Sequence, residues 1–266
     1  MQLGLNDRVV VVTGGAKGIG AACCLAFAEE GARVVLADRD AAATHAATSR
    51  LRGQGMIVEP LVVDLHDDVA CARVVEHAAT TFGRLDVIVN NAGFNDGMGL
   101  DQPPDAFARS VLSNLVHAYA LVHYALPLLR AARGAIVNVG SKVSVTGQGG
   151  TSGYAAAKGA LNALTREWAV ALAPDGVRVN CVLPAECLTE QYQRWFDAQP
   201  DPRAAQQSVG RLIPLGRRLT TAEEVAATIV FLASPRSSHT TGQLLFVDGG
   251  YTHLDRAASH DQAKWS

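Results

Sequence analysis

Arg8-Val-Val-Val-Val-Thr13-Gly14-Gly-Ala-Lys17-Gly18-Ile19-Gly20-Ala-Ala-Cys-Cys-Leu-Ala-Phe-Ala-Glu29 runs from a β-branched stretch through a glycine-rich turn into an apolar, alanine-rich stretch. The order reads as strand, tight turn and helix. Glycine lets the chain turn sharply and bring backbone N–H groups close to a ligand, and the helix amino terminus adds a dipole that favours an anion. A glycine turn alone is weak evidence, but its place between strand and helix makes Gly14, Lys17, Gly18, Ile19 and Gly20 candidates for holding a dinucleotide pyrophosphate.

Working outward, β-branched runs recur at 8–13, 33–38, 57–64, 86–90, 135–139, 177–182 and 244–247. They are apolar without alternation, as strands covered on both faces are. Helical spacing of apolar residues marks 21–29, 70–82, 107–129, 154–172 and 222–232 between them. Alternating strands and helices predict an α/β fold: a Rossmann-type, doubly wound parallel sheet of about seven strands with helices on both faces. No linker-like or repeated segment interrupts it, so residues 1–266 are expected to form one domain. Residues 187–214 break the rhythm, with Tyr192, Trp195, Phe196 and three prolines but no expected strand. They leave from the carboxyl edge of the sixth strand, and a helical flap over the site is expected there.

Composition narrows the function classes. Apolar residues make up 48% of the chain, enough for a large core, and the net charge of −2 supplies no basic stripe for nucleic acid. The longest apolar runs are strand-sized, so no membrane span is expected. The amino terminus lacks the plan of a secretory signal, which points to the cytoplasm. Cys23, Cys24, Cys71, Cys181 and Cys187 form no Cys-x-x-Cys pair and read as buried thiols. The histidines show no metal-ligand spacing, and no metal is expected.

Asp38 ends the second strand, eighteen residues beyond Gly20, near the spacing at which an acid accepts hydrogen bonds from the adenosine ribose. That carboxylate opposes a 2′-phosphate, while the following Arg39 favours one, so NAD is expected with NADP possible. Asp64 and Leu65 are placed to meet the adenine, although Asp64 equally suits a helix cap near Asp67. Asn91, Ala92 and Gly93 follow the fourth strand and either line the cofactor pocket or form an ordinary turn.

Tyr154 and Lys158 stand at i and i+4 in Ser152-Gly-Tyr-Ala-Ala-Ala-Lys-Gly-Ala160, hence on one helix face. A free phenol titrates at about 10, and an adjacent ammonium should lower that, making Tyr154 a usable base. Ser141, with Ser144 as its nearest competitor, could hold a substrate oxygen opposite the phenol. Asn114 lies inside a helical stretch and either anchors a water leading to Lys158 or bonds core backbone.

Together, Thr13-Gly14-x-x-x-Gly18-x-Gly20, Asn90-Asn-Ala-Gly93, Asn114, Ser141, Tyr154-x-x-x-Lys158, and Pro184 with Thr189 resemble the ordered motifs of the short-chain dehydrogenase/reductase family across nearly the whole chain. The resemblance implies NAD(P)-dependent oxidoreduction, a tetrad of Asn114, Ser141, Tyr154 and Lys158, cofactor contacts extending to Pro184 and Thr189, and usually a homotetramer. The chain departs from the family where glycine commonly follows the proline. Here the run is Pro184-Ala-Glu186, which places a carboxylate toward the substrate as an ion-pair partner, a loop acid or a ligand for two sugar hydroxyls. Asn95, Asp96, Lys142, Gln148 and Trp195 are expected beside it. So many polar groups would cost free energy against an apolar substrate and suit a polyol.

Residues 95–101, 146–153, 184–186 and 246–256 resemble bacterial members of the family that oxidise L-fucose. That implies hydride transfer from C1 of L-fucose, L-galactose or D-arabinose to give the lactone. The rival expectations are a dehydrogenase for a sugar acid or a 3-hydroxyacyl thioester, a nucleotide-sugar epimerase, and a non-catalytic NAD-binding sensor.

Overall fold

The computed structural model describes residues 2–254. In chain order the elements are β1 (Val9–Thr13), α1 (Gly18–Glu29), β2 (Arg33–Asp38), α2 (Ala41–Arg52), β3 (Val58–Val62), α3 (Asp68–Phe82), β4 (Val87–Asn90), α4 (Pro104–Ala132), β5 (Ala135–Val139), α5 (Ser152–Leu172), β6 (Arg178–Pro184), β7 (Cys187–Leu188), α6 (Glu190–Asp197), α7 (Pro202–Arg211), β8 (Thr220–Thr221), α8 (Ala222–Ala233) and β9 (Leu244–Val247). Seven strands form one parallel sheet in the order β3-β2-β1-β4-β5-β6-β9. The expected Rossmann-type sheet is therefore present.

The valine run of β1 shows why the strands lack alternation. Val10 and Val12 pack into one core with Cys24 and Phe27 of α1, Leu51 of α2 and Ile229 of α8. Val9 and Val11 point the other way, into a core with Val74 of α3, Leu121 and Leu129 of α4, and Leu172 of α5. Both faces are covered, so every position must be apolar. Between β1 and β4 the strand order reverses, which opens a crevice at their carboxyl ends.

Three expectations are corrected. The third strand stops at Val62, so Asp64 lies in the turn beyond it; Asp67, whose side chain accepts from Val69 N, caps α3. Residues 187–214 do contain a strand, the two-residue β7, paired with β8. Helices α6 and α7 then follow around a small core of Phe196, Ile213 and Leu219. Helix α4 is apolar and long enough to cross a membrane by length and composition alone, a test that the core helix of a folded domain also passes. Its apolar residues are spaced around the axis; here Leu121, Ala125 and Leu129 lie fully in the core. All five cysteines are buried.

Candidate active site

The crevice is a cavity of about 940 Å³ bordered by the glycine turn, the carboxyl ends of β2 to β6, and α6. At its nucleotide end Gly14 has φ 62° and Gly18 φ 53°, left-handed values that favour glycine. A Cβ at Gly20 would lie 2.0 Å from Gly14 O, so that helix residue must be glycine for the turn to sit on α1 at all. Gly20 faces this contact and does not border the cavity, unlike Gly14, Lys17, Gly18 and Ile19. Helix α1 has no side-chain cap and no acid in its first turn. Its amino terminus thus offers N–H groups to an anion without a competing carboxylate.

Asn91 turns out to hold this cradle together. Its Nδ2 donates to Thr13 O at 2.8 Å and Gly14 O at 3.0 Å, while Thr13 Oγ1 accepts from Asn91 N and Ala92 N. Thus the motif after β4 fastens the glycine turn after β1, and Asn91, Ala92 and Gly93 still border the cavity. Thr189 leans its methyl group over Gly18, and Pro184 lies beside it on the wall.

Asp38 faces the cavity from the end of β2, its oxygens accepting from Ala16 N at 3.1 Å and Asp40 N at 3.0 Å. The Arg39 guanidinium stacks 5.6 Å from the Phe94 ring centroid across the same space, and Lys17 pairs with Asp40. Asp64 and Leu65 border this end. Asp64 accepts from His66 N and meets His66 Nδ1, and that imidazole holds the carboxyl below its ordinary pKa. A pyrophosphate at the α1 terminus with a ribose at Asp38 fits these residues, so the site suits NAD(P).

Tyr154, Lys158 and Ser141 meet at the other end. Lys158 Nζ is fully enclosed and donates to Val139 O at 2.7 Å, 5.5 Å from the Tyr154 ring centroid. Ser141 hydrogen-bonds the Tyr154 side chain and borders the cavity. Ser144 is no competitor: its hydroxyl donates to Ser141 O and accepts from Asn162 Nδ2.

The expected pKa shift is reversed. Burial pushes the Tyr154 phenol up to about 12, against a smaller lowering by Ser141. Burial also pushes Lys158 down to about 8. In this enclosed pocket, desolvation of each charged form outweighs the help that an ammonium 5.5 Å from the ring can give.

Asn114 does not border the cavity. Its Oδ1 accepts from Phe94 N at 2.8 Å and its Nδ2 donates to Ser110 O at 3.0 Å, so the amide bonds backbone and pins the loop after Gly93.

Glu186 resolves as an ion-pair partner. Its Oε1 meets Lys142 Nζ and its Oε2 accepts from Tyr192 OH, with all three groups on the cavity wall. Lys142 Nζ also lies 4.2 Å from the Tyr251 ring centroid. Asn95, Gln148 and the half-exposed Trp195 border the cavity as expected, whereas Asp96 faces a shallow neighbouring depression. Sequence reading missed Tyr192 as a polar partner, and it missed His66, Ser113 and His117 on the wall. For the last, a signal existed, since His117 is three residues beyond Asn114 on the same helix.

Residues 14–252 match the family described as Enoyl-(Acyl carrier protein) reductase. L-fucose dehydrogenase of Rattus norvegicus is 39% identical over 247 residues, covering 92% of this chain and 89% of that protein. 3-Oxoacyl-(acyl-carrier-protein) reductase of Thermotoga maritima is 35% identical over 248 residues, covering 92% and 98%. The crystal structure of L-sorbose reductase from Gluconobacter frateurii, complexed with NADPH and L-sorbose, superposes with a TM-score of 0.91 at 30% identity, covering 96% of this chain and 100% of that one.

Proposed function

The chain belongs to the short-chain dehydrogenase/reductase family, an NAD(P)-dependent oxidoreductase, and from that premise we propose that it oxidises C1 of an aldose of the L-fucose type to the lactone, with NAD as the preferred cofactor. NAD(P) supplies the hydride acceptor when bound. The chain's own groups handle the proton. Tyr154 receives the proton of the C1 hydroxyl as phenolate, the form that the Lys158 ammonium and the positive charge of a bound NAD(P)⁺ would favour over the phenol that burial alone favours, and Ser141 donates a hydrogen bond to the same oxygen. Asn114 acts by fixing the Phe94 loop.

The observation that carries the substrate class is the buried Lys142–Glu186 pair, with the half-buried Tyr192 bonded to it, on the wall next to Ser141. A carboxylate has about four acceptor sites and an ammonium three donors, so each keeps capacity after pairing with the other. Together they offer an acceptor and a donor to vicinal hydroxyls, groups that a steroid or acyl chain could not satisfy. The 39% identity to a protein named L-fucose dehydrogenase supports the same reading. Asp38 at the ribose end supports NAD. Exposed Leu112, Val116 and Tyr119 on α4 and Val170 on α5 support a homotetramer.

The second reading, a 3-oxoacyl thioester reductase, draws on the relative from Thermotoga maritima. An aldose panel with NAD, followed by NADH absorbance, and acetoacetyl thioester with NADPH separate the two. Turnover only in the second assay overturns the sugar assignment. With the sugar assignment correct, Glu186→Gln raises the sugar KM about tenfold or more while leaving the NAD KM within about twofold. Equal effects on both would make Glu186 a structural acid.

A further inference from the structure

Each turnover of the proposed reaction leaves one proton behind: aldose and NAD(P)⁺ give lactone, NAD(P)H and H⁺. The C1–H electron pair leaves as hydride, the O–H bond breaks toward Tyr154, and the lactone carbonyl forms. Lys158 is buried, 3% exposed, so a proton that passes to it from Tyr154 needs a way out.

One group in the same cavity has no structural occupation. His117, on α4 three residues after Asn114, is 6% exposed, and neither ring nitrogen has a hydrogen-bond partner. Leaving such a group unpaired in the interior costs free energy. A purely structural position would be cheaper with an apolar residue. The His117 backbone carbonyl accepts from Cys71 Sγ of α3 at 3.7 Å.

The titratable groups acting on the ring are Lys158, from α5, and His66, from the turn after β3. Burial is the main cause that lowers its pKa, to about 4, so the ring is neutral in ordinary buffer. A neutral imidazole carries one N–H and one bare nitrogen, and can take a proton on one while giving it up from the other.

A route from His117 outward is also in place. Ser113 sits one turn earlier on α4, and its Oγ lies 3.1 Å from His66 Nε2. The other nitrogen of His66 meets Asp64 Oδ1, and both side chains are more than half exposed. Lys158, His117, Ser113, His66 and Asp64 all border the one cavity.

We propose that His117 relays the proton, through cavity water, between Lys158 and the surface pair His66–Asp64, with the Ser113 hydroxyl as the intermediate step. This rests on the hydroxyl-oxidising reading above.

The test begins with wild-type protein, NAD and whichever aldose is oxidised. His117→Ala is expected to lower kcat about tenfold or more at pH 7 with KM values within about twofold. Added imidazole should restore it, because the shortened side chain leaves room for the free ring. His117→Gln, which fills the space but cannot shuttle, should lose as much without rescue. In stopped flow with a pH indicator, proton release should lag NADH formation in both variants. In the protein alone, nitrogen-15 signals of the His117 ring should move in Lys158→Met.

Wild-type kcat in His117→Ala, or a loss that imidazole leaves untouched, overturns the relay. If wild-type protein oxidises no hydroxyl compound, the hydroxyl-oxidising reading fails. The relay then stands or falls on the nitrogen-15 measurement, where a His117 ring indifferent to Lys158→Met overturns it.

Discussion

Lys158 shows how a catalytic requirement opposes stability. Its ammonium is fully enclosed with one hydrogen bond, to Val139 O, and burial brings its pKa from 10.5 to about 8. Between pH 8 and 10.5 the unfolded chain still holds a proton that the folded chain has shed, so stability rises with pH through that window. Below pH 8 the full penalty, about 3 kcal/mol, remains. Lys158→Met is therefore expected to match or exceed the wild-type Tm at pH 7 while abolishing turnover, and the wild type should close the gap as pH approaches 10.5. Thermal melts of both proteins across that range check this; a variant less stable at pH 7 would mean the Val139 bond outweighs desolvation. Tyr154→Phe keeps the ring but removes the acid–base oxygen, and kcat should fall about 10²- to 10⁴-fold with the fold intact by circular dichroism. The Tyr154–Lys158 pairing was legible from spacing alone. The direction of the Tyr154 shift was not, because it depends on how little water reaches the phenol.

At the scale of elements, the glycine turn is a packing joint as much as a ligand cradle. The Cβ of an alanine at position 20 would meet Gly14 O at 2.0 Å and Asn91 Nδ2 at 2.6 Å. Gly20→Ala must push the turn off α1 and disturb the bonds by which Asn91 ties β4 to β1. NAD binding, read by titration calorimetry, should weaken more than tenfold, equivalent to about 1.4 kcal/mol or more, and Tm should fall as well. Unchanged affinity would refute the joint. The same scale decides between readings that the sequence left open. Asn91 borders the cavity and also ties down the glycine turn, while Asn114 takes the second of its two readings and bonds backbone. Their partners, Thr13 and Phe94, are distant in sequence, and only folding brings them within reach.

At the scale of the molecule, the proposed homotetramer makes a definite demand on the exposed apolar side chains of α4 and α5. Tyr119→Glu combined with Val170→Glu, at positions 55% and 76% exposed, should leave the monomer folded but break the assembly. Sedimentation should show a species four times the monomer mass for wild type and a smaller one for the variant; a wild-type monomer would refute the assembly. The parallel sheet, the cofactor turn and the Tyr154–Lys158 pair were determined by sequence alone, because strand burial, turn geometry and helical periodicity are local rules. Tertiary structure decided what Glu186 binds, since its partners Lys142 and Tyr192 come from a different turn and from the flap helix. It also decided that His117 is buried without a partner beside Lys158, a fact about the space between α3, α4 and α5 that no spacing along the chain encodes.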